Sequence, residues 1–338
     1  MKDVPQKPPK DGNWPKDHFG WSEVAQQWWW IIVPAIVILA ALALPALSWS
    51  KKLAKPEVIA YCAQDQVYAE PIFRDFEKET GIKVRAVYDS EAVKTVALAN
   101  RLLAEHNHPQ CDVFWGNEEM RTRQLAARGV FRETNGWASF GYRSRRIVIN
   151  TKRLSLADAP HSLLELTNHL WHGKVALAYP QSGTTSTHFH ALRQLWGDAG
   201  WQTWCRALAA NKPFLVDGNS VVVKLVGQGE AYIGLTDSDD IADGQREGLP
   251  IAAIPISAET LLIPNTVAVT SAAPHPKNAQ ALYEYLQGRE VIERLVAANA
   301  LEGVSSGGVG TRTLDLKWDV LMKDIEPTTT MLNEIFLR

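Results

Sequence analysis

Cysteine is scarce in this chain of 338 residues. There are three, Cys62, Cys111 and Cys205, and no two have C-x-x-C spacing. A disulfide-built scaffold and a cysteine zinc site are thereby excluded. An excess of one charge is also lacking: 35 Lys and Arg stand against 37 Asp and Glu, a formal net charge of −2. That gives no electrostatic case for a nucleic-acid partner. No internal repeat and no long low-complexity linker interrupts the chain. With 46% apolar and 21% charged residues it is neither wholly disordered nor a polytopic membrane protein.

What is present is unevenly distributed. Residues 28–48 read WWWIIVPAIVILAALALPALS, without a charge. At 1.5 Å per residue such a helix spans roughly 30 Å, a bilayer core. Trp28, Trp29 and Trp30 at one end and Trp49 at the other suit the two interfaces. The preceding polar, proline-rich tail, 1–27, carries four Lys and four acidic residues. Lys51, Lys52 and Lys55 follow the span, so with a neutral tail and these three positive charges the part 57–338 carries −5. Two readings stand: an uncleaved anchor over 28–50, or a signal peptide cleaved near Ala41-Leu42-Ala43. A long pre-region with no net charge favours the anchor. Taken alone, the three lysines would keep the C-terminal part on the cytoplasmic side.

From residue 57 the pattern alternates. Strands are expected at Val58–Tyr61, Ile82–Tyr88 and Asp112–Trp115, with helices at Ala69–Thr80, Val93–Glu105 and Glu119–Ala127 between and after them. Further on, Arg146–Asn150, Val175–Tyr179, Ala231–Leu235 and Thr266–Thr270 read as strands. Thr187–Trp196, Ala199–Ala210, Val221–Gln228 and Pro276–Gln287 read as helices. This order predicts an α/β fold with parallel sheets in two doubly wound lobes and more than one crossing between them.

Ligands of open parallel sheets bind beyond the strand carboxyl ends. Carboxylates follow three of those ends: Asp65; Glu118 and Glu119; and Asp237, Asp239 and Asp240. Gathered in one cleft they would form a hard-cation site with oxygen ligands; separately they are ordinary helix caps. The turn Ser182-Gly183-Thr184-Thr185 precedes a helix, whose free N–H groups suit an anion. It lacks the P-loop lysine, so nucleotide hydrolysis is unsupported. His188 and His190 point to different sides of a helix, which favours packing over metal binding. Cys62 and Cys111 fall on adjacent strands roughly 10 Å apart, too far for a bridge. No convincing nucleophile–base pair appears, so an enzyme is disfavoured.

Six collinear motifs then become specific: VIAYCAQDQVYAEPIFRDFEKETGIKV, PQCDVFWGNEE, FGYRSRRIVINTKRL, YPQSGTTST, GNSVVVKLVGQGEAYIGLTDSDD and the terminal EIFLR. Through nearly all of 57–338 the chain resembles the bacterial family 1 extracellular solute-binding proteins, and most of all their ferric-iron-binding branch in ABC importers. The resemblance implies a periplasmic-binding-protein type II clamp, with one lobe from 57–140 plus 265–300 and the other from 141–264 plus 301–338. Residue by residue, Asp65 occupies a ligand position after the first strand. Asn117 takes the place of a glutamate, with Glu118 beside it. Asp239 and Asp240 stand where a tyrosine pair supplies phenolates. Ser182, Gly183, Thr184 and Asn219 match an anion-holding pattern that Thr185 extends, and Asp237 replaces an asparagine. Arg143 and Arg145 match the RSR arginines.

These matches imply a binding component of an ABC importer rather than an enzyme. Its expected partners are a permease with its ATPase subunit, and the membrane through 28–48. The cargo is expected to be iron or another metal cation with an anion, held by Asp65, Glu118, Asp239 and Asp240. Loss of the tyrosines leaves an alternative cargo open: a sugar phosphate, aminophosphonate or thiamine-like solute, its phosphate on Ser182–Thr185. A membrane-anchored solute sensor is the other alternative, disfavoured because no kinase, cyclase or methyl-accepting segment follows. The implied location is the cytoplasmic membrane with the binding part facing the periplasm, or the periplasm after signal cleavage.

Overall fold

The computed structural model describes residues 33–38, 55–88, 94–256, 258–304 and 314–337. The chain divides into two units, Met1–Lys55 and Pro56–Arg338. In the first, 33–38 is helical and exposed; the rest of the uncharged span 28–48 lies outside the described residues. Among the described residues, no helix is long and apolar enough to cross a membrane.

The second unit begins β1 (Glu57–Cys62), α1 (Gln66–Thr80), β2 (Lys83–Val87), α2 (Lys94–Ala104), β3 (Val113–Gly116) and α3 (Glu119–Ala127), followed by the long strand β4 (Trp137–Asn150). After two one-turn helices, Leu163–Thr167 and His169–Trp171, come β5 (Val175–Ala178), α4 (Gly183–Ala210), β6 (Phe214–Val216), α5 (Asn219–Gln228), β7 (Ile233–Asp237), α6 (Ser238–Arg246) and β8 (Ile251–Ile254). The chain closes with β9 (Leu262–Val269), α7 (Pro276–Leu286), α8 (Arg289–Ala297), α9 (Trp318–Lys323) and α10 (Ile325–Phe336).

The sheet order is β2-β1-β3-β9-β4-β7-β5-β6, with β8 also paired to β4. Two parallel triplets, β2-β1-β3 and β7-β5-β6, flank a central pair, β9 and β4, that runs antiparallel to its neighbours. The expectation of parallel strands therefore holds for the flanks and fails at the centre. The start of β4 is also corrected, from Arg146 to Trp137. Its first half carries Ser139, Arg143, Ser144 and Arg145, which interrupt the apolar alternation that marks a strand. That half pairs with β9, from Trp137↔Ala268 to Ser144↔Leu262, and the second half pairs with β7 and β8.

Each half of the sheet has its own core. On one side, α1 buries Tyr68, Ala69, Ile72, Phe73 and Phe76, with Phe73 edge-on to Trp115 at 5.5 Å. Gly81, at φ 71, ends α1 as the sequence predicts. On the other side, Ile147, Ile149, Leu177, Phe189, Trp201, Trp204 and Phe336 form one cluster. The two helices expected over 187–210 start earlier, at Gly183, and break at Gly197 (φ 68, ψ 166). That glycine conformation is one an L-residue rarely adopts.

Candidate functional site

The site begins with strand geometry. Alternation puts Arg143 and Arg145 on one face of β4. The antiparallel register sets Arg145 directly opposite Asp237, the last residue of β7. Asp237 is also the N-cap residue of α6, yet its side chain makes no cap bond. It turns instead to the arginines: it accepts from Arg145 Nη1 at 2.8 Å, Arg143 Nε at 3.3 Å, Thr184 Oγ1 at 2.7 Å and Asn219 Nδ2 at 3.1 Å. Burial alone would raise this carboxyl, but Arg145 and Arg143 outweigh burial and hold it below the ordinary carboxylate range.

Thr184 reaches this network because of Gly183. With φ +57, Gly183 turns the chain between extended Ser182 and the first turn of α4. Thr185 Oγ1 then accepts from Arg145 Nη2 at 3.2 Å, and Arg145 Nη1 also donates to Asn219 Oδ1 at 3.0 Å. Six of the residues singled out in the sequence, Arg143, Arg145, Thr184, Thr185, Asn219 and Asp237, thus form one bonded cluster. Ser182 and Gly183 are half-buried at its edge.

The remaining aspartates lie beside it. Asp239 and Asp240 occupy the first turn of α6, where the helix dipole favours negative charge. One carboxylate oxygen from each of Asp237, Asp239 and Asp240 lies within 4.8 Å of the others. Asp239 is 4% exposed, and its Oδ1 accepts no hydrogen bond; Arg143 Nε stands 3.4 Å away. Burial, helped by Asp237 and Asp65 and only partly offset by Arg143, raises the Asp239 carboxyl to about 7. Asp65, the N-cap residue of α1, is half-buried and electrostatically coupled to Asp239 and Arg143 from the other half of the sheet. Four carboxylates against two guanidiniums leave the cluster acidic when all are ionised.

Glu118 does not join it. Its carboxylate caps α3 by accepting from Arg121 N at 3.0 Å, and accepts from Thr187 Oγ1 at 3.0 Å. Burial raises its pKa, opposed mainly by Arg121. Asn117 beside it is half-buried. The histidines are structural: His188 Nε2 bonds Glu259 O at 2.7 Å, and His190 Nδ1 bonds Ser186 O at 2.8 Å. Burial, reinforced by Arg145, lowers His188 to about 3. All three cysteines are buried.

The sequence reading missed three residues. Gln64 Oε1 accepts from Asn265 Nδ2 at 3.0 Å, and Asn265 Oδ1 accepts from Arg143 Nη1 at 3.1 Å. This extends the network through β9 to the end of β1. Tyr68, on α1, donates to Asp243 on α6 and accepts from Arg246 Nη2 at 2.8 Å. Burial, then Asp239, Asp65 and Asp240, push its phenol upward. Gln64 follows a strand end, which was a usable signal; Asn265 and Tyr68 had none.

Two α/β halves joined through a central antiparallel pair, with polar side chains gathered at the strand carboxyl ends, define a ligand-binding protein of the clamp class. The model of the bacterial extracellular solute-binding proteins matches residues 58–298, and the chain belongs to that family. Among curated relatives, it is 27% identical to the Fe(3+)-binding periplasmic protein of Serratia marcescens over 300 residues, 79% of this chain and 84% of that protein. Among solved structures, iron-bound HitA of Pseudomonas aeruginosa aligns with TM-score 0.73 and 18% identity, covering 83% of this chain and 99% of that one. AfuA of Actinobacillus pleuropneumoniae, with fructose-6-phosphate bound, aligns with TM-score 0.73 and 18% identity over 84% of this chain and 99% of that one. The fold is shared by receptors of different ligands, so the ligand is argued from the site.

Proposed function

We propose that this protein is the receptor of an ABC importer and that its cargo is a metal cation of the ferric type. The observation that carries this reading is Asp239: a buried carboxylate oxygen without a hydrogen bond, set among Asp65, Asp237 and Asp240. A carboxylate so placed gains most from a cation, which supplies the opposite charge that burial demands. Hard oxygen donors match iron-like cations, and the Serratia relative is named for ferric iron. Asp65, Asp239 and Asp240 are the proposed donors; Glu118, committed to Arg121 N and Thr187, is not among them. Ser182–Thr185, Asn219, Arg143 and Arg145 support the aspartates through Asp237.

The receptor works on the periplasmic side and hands its cargo to a permease driven by an ATPase subunit. Residues 28–48 tether it, which would raise its local concentration at that permease without a new contact. Elemental analysis of the full-length chain, purified after growth with iron, tests the reading. Stoichiometric iron is expected. A metal-free protein that co-purifies with an organic phosphate would overturn it.

A further inference from the structure

We infer that Asp237 decides the sign of the charge this cleft accepts, by filling from within a site otherwise built for an oxyanion. Four donors converge on its carboxylate from three elements: Arg143 and Arg145 of β4, Thr184 of α4 and Asn219 of α5. Two guanidiniums and two neutral donors, at 2.7–3.3 Å, are the set that holds a phosphate or carboxylate ligand. Both arginines are almost wholly buried, at 3% and 0% exposure, so their charges need a fixed counter-ion. Asp237, tethered at the end of β7, supplies it at an effective concentration no dissolved anion matches.

The consequence reaches the neighbouring carboxylates. With both arginines engaged by Asp237, only Arg143, 3.4 Å from Asp239 Oδ1, offsets that carboxylate and only in part, and the open part of the cluster is acidic. Without Asp237 the same frame presents two cationic forks, and the preferred ligand is an oxyanion. The cation half of this argument rests on the reading proposed above. The oxyanion half rests only on the four donors.

Inorganic phosphate is the probe, with the full-length chain, Asp237→Ala and Asp237→Asn. Calorimetry and thermal unfolding are run at pH 8 with and without phosphate. The wild type is expected to ignore phosphate. Asp237→Ala is expected to bind it at least about tenfold more tightly than the wild type, with a rise of several degrees in unfolding midpoint. Adding Arg145→Gln to Asp237→Ala should abolish the response. Phosphate stabilisation of the wild type equal to that of the variant would overturn the inference. So would a folded Asp237→Ala indifferent to phosphate. If both Asp237 variants are unfolded without phosphate, refolding in phosphate supports the inference and failure to refold overturns it. A wild type that binds no cation would sink the proposed cargo and leave the phosphate comparison to decide the role of Asp237.

Discussion

Arg145 and Asp237 are direct partners in the β4–β7 ladder, and their side chains meet at 2.8 Å with both residues buried. The pair ties the middle of the long strand β4 to the carboxyl end of β7, where the candidate site opens. Stability and ligand choice therefore depend on the same contact.

The first expectation concerns stability. Asp237→Ala leaves two buried guanidiniums short of a counter-charge, a loss of about 3–5 kcal/mol. Urea unfolding in phosphate-free buffer measures it. A loss below about 1 kcal/mol, the scale of an exposed pair, would mean that the contact is dispensable.

Asp239 should behave in the opposite way. Its carboxyl is raised to about 7 in the folded chain, against about 3.9 unfolded, so it stabilises the empty protein below pH 4 and that contribution is lost as pH rises through 7. Asp239→Asn should therefore unfold at a higher temperature than the wild type at pH 8, with the gain shrinking toward pH 5. The same variant should bind the cation more weakly. Wild-type cation affinity should also fall as pH drops below 7, because a proton then competes for Asp239. Thermal melts and titrations across that range test both signs.

His188 predicts a separate acid limb. Burial and Arg145 lower it to about 3, so between roughly 6.5 and 3 the unfolded chain takes up a proton that the folded chain refuses. Stability from this residue is complete above 6.5 and declines by about 1.4 kcal/mol per pH unit below it. His188→Gln should flatten the limb whatever its own stability. An unchanged slope would show that His188 is not the titrating group.

Tyr68 joins the two halves through Asp243 and Arg246. Tyr68→Phe removes that link while leaving Asp243 and Arg246 paired with each other. The ligand-free variant should populate a more open form, with a larger radius of gyration by X-ray scattering and weaker cation binding. Equal scattering from both proteins would assign closure to other contacts.

Most of the flanking triplets of the sheet was legible because β1, β3, β5 and β7 are apolar runs followed by helices; β6, three residues long, was not. Of the central pair, the second half of β4 and the end of β9 were legible; the first half of β4 was not, because it is spent on polar site residues and so hides its own periodicity. The site was legible where chemistry followed a strand end, as at Asp65, Thr184 and Asp237. Its internal bonding was not: nothing in the order of residues says that Asp237 faces Arg145, since register is set by tertiary pairing. Glu118 looked like a ligand for the same reason that it is a cap, an acidic residue at a helix start. The regular pattern of α4 likewise concealed that His188 is buried against Arg145 and Glu259.

The central claim is that carboxylates at the start of α6 hold a cation. Titration of ferric iron, delivered from a weak chelator at pH 8, into the full-length wild type and into the double variant Asp239→Asn, Asp240→Asn tests it most directly. The account predicts saturable binding of one ion per chain by the wild type, and an affinity at least about a hundredfold lower, about 2.7 kcal/mol, for the variant. Equal affinity in the two proteins, with both folded, would contradict it and leave Asp239 and Asp240 as no more than the acidic first turn of a helix.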